Sequence, residues 1–64
     1  MKLKDYFVQE RIDPVRFAVD NGFSVTSIYR YMRGGKPHFP KAIALERATK
    51  GKVTVQDLRG INVL

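Results

Sequence analysis

The chain has 64 residues, a net charge of +6 and no cysteine. That length holds one small domain, and the absence of thiols excludes a disulfide framework and a thiolate zinc site. An apolar fraction of 44%, with four phenylalanines and three tyrosines, is too high for a disordered tail and enough for a compact helix cluster.

The first helix is expected over Leu3 to Glu10. Leu3, Tyr6 and Phe7 fall at i, i+3 and i+4 and make an apolar stripe, with Lys2, Lys4, Asp5 and Gln9 on the outer side. Arg11 and Ile12 form a connector, Ile12 plugging the core. Asp13 then caps a second helix and Pro14 takes its first turn, where a missing N–H has no helical partner to lose. Phe17 and Ala18 face inward, and Asn21-Gly22 ends the helix in a left-handed turn that glycine adopts at low cost. Phe23 is expected to be buried in that turn. Ser24 caps a third helix running to about Arg33. At about 100° per residue, Ile28, Tyr31 and Met32 share one side. Thr26, Tyr29, Arg30 and Arg33 share the other, with Val25 and Ser27 on the flanks. Gly34-Gly35 stops it, and Lys36 to Phe39 form a loop.

Pro40 opens a fourth helix in a first-turn position like that of Pro14. This helix runs to Lys50, with Ala42, Leu45, Ala48 and Thr49 inside and Ile43 partly buried. Gly51 is its stop. Thr54 caps a short last helix, Asp57 three residues on returns the cap, and Val53 and Leu58 are spaced for a hydrophobic staple. The apolar tail Ile61-Asn62-Val63-Leu64 belongs to no helix. The expected fold is therefore all-α: a compact five-helix single domain over residues 1–64 with a short tail.

Charge is unevenly spread. No acid lies between Asn21 and Leu45, whereas Arg30, Arg33, Lys36 and Lys41 all do. A helix that reads DNA must protrude into the major groove, be held by a neighbour through a tight turn, and carry cations for phosphates. Residues 13 to 36 meet these needs, with the helix-turn-helix over about 14–33. Arg30, central on the outer face, suits the paired acceptors of guanine. Thr26 and Val25 suit a thymine methyl, and Tyr29 a sugar, a methyl or a phosphate. Ser24 and Ser27 lie near the helix start, where hydroxyls and free N–H groups bind phosphate. Arg33, Lys36 and Lys41 suit the backbone.

Two runs carry a family resemblance. Phe-Ala-x-x-x-Gly-Phe-Ser-x-x-x-Ile-x-x-Tyr-Met-x-Gly, from Phe17 to Gly34, resembles the lambda-repressor-like helix-turn-helix family, especially small Cro-like phage regulators. Ala-Leu-Glu-Arg-Ala-Thr-Lys-Gly-Lys-Val-Thr-Val-Gln-Asp-Leu-Arg, from Ala44 to Arg59, resembles the end of the YdaS-type Cro or antitoxin group. The resemblance implies a dimeric repressor on a pseudo-palindromic double-stranded DNA operator, with contacts at Ser24, Val25, Thr26, Tyr29, Arg30 and Arg33. Pro14 stands where many relatives place a phosphate-binding glutamine. Val25 stands where many carry a polar glutamine, and Tyr31 replaces a frequent tryptophan.

An enzyme is not expected. His38 is the only histidine, and the six acids offer no pair spaced for shared acid–base work. No cofactor and no metal site are expected. No run reaches the roughly 18 apolar residues of a membrane span. No apolar segment follows the lysines of Met1–Tyr6 as in a signal peptide. The expected location is the cytoplasm, on the nucleoid when bound to DNA. Ile61, Val63 and Leu64 are the candidate homodimer contact. The antitoxin alternative adds a protein toxin as partner, docked on the same tail.

Overall fold

A computed structural model describes residues 1–60. The expected dimer contact at Ile61, Val63 and Leu64 lies outside the described residues. Five helices follow in order: α1 (Leu3–Glu10), α2 (Pro14–Asn21), α3 (Val25–Met32), α4 (Phe39–Ala48) and α5 (Val55–Arg59). There is no strand among the described residues, so the domain is all-α. Its Cα radius of gyration is 10.7 Å, about what a globular chain of this length should have.

The apolar stripe of α1 is buried as its spacing predicts, through Leu3, Tyr6 and Phe7. Arg11 ends the helix in the left-handed region, with φ 55°. Its N–H donates to Val8 O at 3.3 Å, and the Ile12 N–H donates to Phe7 O at 3.0 Å. That bond pattern is a Schellman turn, and it swings Ile12 onto the core.

Asp13 Oδ1 accepts from the Val15 N–H at 3.0 Å, which starts α2 with Pro14 at its first position. The helix ends in a second Schellman turn. Gly22 (φ 74°) takes the left-handed position, and the Phe23 N–H donates to Ala18 O at 2.8 Å. The Phe23 ring then stacks 6.0 Å from Phe17. Phe17 in turn meets Phe7 edge-on at 5.1 Å, so the turn is anchored in the aromatic core. Phe23 is only half-buried, not buried as expected: it caps the core from the surface, with the Lys41 ammonium 5.4 Å from its ring. α2 packs on α3, where Ala18 and Ile28 are both fully buried. A methyl at position 18 leaves room for the close crossing.

α4 departs from expectation at both ends. It starts at Phe39, so Pro40 is its second residue rather than its first. The N–H of that position is also without a helical partner, so the proline costs nothing there. The helix stops at Ala48, not Lys50, because Lys50 itself turns left-handed with φ 56°. The Gly51 N–H then reaches back to Glu46 O at 2.8 Å. Ile43 is 41% exposed rather than partly buried. It follows the buried Ala42 by one residue, so it points about 100° away from the core.

α5 carries the expected capping box. Thr54 Oγ1 accepts from the Asp57 N–H at 3.1 Å, and Asp57 Oδ2 accepts from the Thr54 N–H at 3.0 Å. Val53 and Leu58 are buried on either side. Arg59 ties α5 to the start of α4: its Nη1 donates to Pro37 O at 2.5 Å, and its guanidinium lies 4.3 Å from the Phe39 ring.

Candidate nucleic-acid interface

α3 is about two turns long, and its two faces differ sharply. Ile28 is fully buried, and Tyr31 and Met32 are half-buried on the same side. On the opposite side Thr26, Tyr29, Arg30 and Arg33 are exposed. Five of the expected site residues, Val25, Thr26, Tyr29, Arg30 and Arg33, line one shallow depression together with Gly35. Val25 contributes only an edge, since it is half-buried against the core. Tyr29 is 41% exposed and lines the depression.

The start of α3 is fixed by Ser24, whose Oγ accepts from the Ser27 N–H at 3.4 Å. The cap uses a lone pair of the hydroxyl, so its proton stays available to donate to an anion. Ser24 is exposed and Ser27 half-buried, and neither lines the depression. α3 has no acid in its first turn. Its N–H groups and its dipole therefore meet solvent without a competing carboxylate.

The end of α3 is a third Schellman turn. Gly34 (φ 103°) donates its N–H to Tyr31 O at 3.2 Å, and the Gly35 N–H donates to Arg30 O at 2.9 Å. This turn carries Lys36 away from the depression. Lys36 and Arg33 instead line a neighbouring groove of about 520 Å³ beside Lys2 and Lys4 from the start of α1. Arg33 and Gly35 border both hollows. None of Lys2, Lys4, Arg30, Arg33 and Lys36 forms an ion pair among the described residues. The acids bordering the groove are Asp5 and Asp57. Asp57 is already engaged by the Met1 amine at 2.7 Å. Partial burial pushes the Asp57 carboxyl up, but bonds from the amine and from the Thr54 N–H and hydroxyl, with the charge of the amine, outweigh it and hold the carboxyl below its ordinary 3.8.

Lys2 and Lys4 were expected only as the outer side of α1. Their nearness to Arg33 and Lys36 is a tertiary fact, set by α1 packing on α3, and no local spacing encodes it. Lys41 is exposed, with its ammonium 5.4 Å from the Phe23 ring. Pro14, half-buried at the first position of α2, offers neither a backbone N–H nor a polar side chain there.

The arrangement supplies unpaired guanidinium and ammonium groups, hydroxyls and an apolar edge along two adjoining hollows, chemistry suited to a polyanion with a patterned surface. His38 is exposed at the cap of α4 and its side chain makes no capping bond. No group of three histidine or acidic side chains converges as a metal site among the described residues. No helix among them is long and apolar enough to cross a membrane. Compared with known proteins, the chain matches no family model, no curated protein and no solved structure.

Proposed function

We propose that the chain is a sequence-reading, double-stranded-DNA-binding transcriptional regulator of the lambda-repressor-like helix-turn-helix kind. In this reading α3 enters the major groove, a slot wide enough for one helix. The observation that carries it is the outer face of α3. There Val25, Thr26, Tyr29, Arg30 and Arg33 share one hollow that holds two unpaired guanidinium groups and no carboxylate. Arg30 donates to a guanine, Thr26 and Val25 meet a thymine methyl, and Tyr29 packs on the sugar edge. Ser24, Ser27, Arg33 and Lys36 hold phosphates. The three-residue turn Gly22-Phe23-Ser24, pinned by the Phe17 stack, fixes the angle at which α3 is presented.

A Cro-like repressor acting as a homodimer on a two-fold operator is the form we favour. The second reading, an antitoxin that also binds a protein, draws on Phe39 and Ile43. These are 51% and 41% exposed and lie four residues apart on α4. Selection from a pool of random duplexes tests the proposal. The wild type should enrich a two-fold symmetric site. Arg30→Ala should lose about 1–3 kcal/mol of preference for that site over random duplex, whereas Lys36→Ala should weaken both alike. Failure to enrich any sequence would remove the claim of specific reading.

A further inference from the structure

Among the described residues, α1 to α4 end in Schellman turns. Past the left-handed Lys50 of α4 comes Gly51, itself left-handed with φ 81°, and in the other three turns the residue just past the left-handed position differs. After α1 it is Ile12, packed against the core, and after α2 it is Phe23, stacked on Phe17. In such turns that residue commonly makes a side-chain contact with the last turn of its own helix. After α3 it is Gly35. The backbone conformation of Gly35 does not demand glycine, since it alone of the five glycines has no positive φ. Space does. A Cβ at Gly35 would lie 2.7 Å from Arg30 Cγ and 2.9 Å from Arg30 O. The aliphatic stem of Arg30 therefore fills the place that a side chain at position 35 would take. A Cβ at Gly34, Gly22, Gly51 or Gly60 would meet nothing within 4 Å.

We propose that Gly35 is a positioning residue for Arg30: by lacking a side chain it forms the shelf on which the arginine stem lies, and this aims the guanidinium from the hollow on α3. The inference rests on the reading of Arg30 as a base-contacting residue. It adds that the direction of that contact is set from the loop after the helix. A long side chain has many rotamers, and a shelf that excludes some of them lowers the entropy lost when the guanidinium engages a base. Gly35 borders both hollows.

The test compares Gly35→Ala with Gly34→Ala in the free protein and on the selected duplex. Gly34→Ala strains the left-handed position but touches nothing, so it serves as the control for a damaged helix end. Side-chain couplings and the Nε–H signal of Arg30 report its rotamer by NMR without any DNA. Gly35→Ala should shift them and Gly34→Ala should not. On DNA, Gly35→Ala should cut the preference for the selected duplex by about tenfold, within the range one guanine contact supplies. In an Arg30→Ala background it should change that preference less than twofold. Removing Cγ should also relieve part of the clash, so Gly35→Ala should lower the melting temperature less in that background. Unchanged Arg30 couplings in Gly35→Ala, or an equal loss of melting temperature in both backgrounds, would overturn the positioning role. A shifted rotamer in a protein that prefers no duplex would support the shelf and overturn the reading of Arg30 instead.

Discussion

Thr49 is the one polar residue among the described residues that is wholly buried, and it shows how little slack this small core has. Its hydroxyl lies 2.9 Å from Leu45 O and 3.1 Å from Glu46 O, and its oxygen accepts from the Val53 N–H at 3.1 Å. One proton serves the carbonyls in turn, while the lone pair satisfies an N–H that has no other partner in the α4–α5 connection. Thr49→Val keeps the shape and orphans that N–H. It should cost about 1–3 kcal/mol, the usual penalty for a buried donor left unpaired. Thr49→Ser should recover most of it, and urea unfolding of both variants measures the difference. The sequence marks Thr49 as inward-facing by its helical spacing from Leu45. It does not reveal the bond to Val53, which depends on the Lys50 backbone turning left-handed. Gly35 is a similar case. A glycine pair after a helix reads as a stop, and Gly34 alone performs that task. The reason for the second glycine lies in the path of the Arg30 side chain, which no sequence spacing specifies.

The two ends of α2 and the starts of α3 and α5 were the most legible elements. Asp13-Pro14, Asn21-Gly22, Ser24 and Thr54 with Asp57 each encode their geometry within three or four residues, and each adopts it. The apolar stripes of α1 and α3 were legible for the same reason, since one face repeats every third or fourth position. α4 was less so. Phe39 begins it because the His38 backbone is extended, and the Arg59 guanidinium, twenty residues away, lies against the still-exposed Phe39 ring. Ile43 is exposed because no other helix among the described residues covers its side of α4. The capping box of α5 gives a test at this scale. Asp57 has its carboxyl held below 3.8, so its contribution to stability is complete above that value. It fades as pH falls through the lower folded value. Asp57→Asn should therefore melt below the wild type at neutral pH, and the gap between them should close as the solution is acidified below 3.8. A gap that stays constant across an acid titration would mean that the carboxylate charge contributes nothing to holding α5.

At the scale of the molecule, five short helices of this kind cannot each be stable alone, since isolated helices below about 12–15 residues are marginal in water. The aromatic group of Tyr6, Phe7 and Phe17 and the buried contact of Ala18 with the α2–α3 crossing supply what the helices lack singly. This scaffold leaves one face of α3 free of packing duties. It also brings Lys2 and Lys4 beside Arg33 and Lys36, an alignment that follows from packing rather than from sequence order. The cationic surface is therefore broader than the helix itself, and a bound duplex should touch both. The most direct test is a titration of isotopically labelled protein with the selected duplex, following backbone amide shifts by NMR. The account predicts that the largest shifts fall on residues 24–36, with smaller ones at Lys2 and Lys4. Shifts centred on Phe39 and Ile43 of α4, with α3 unmoved, would contradict it.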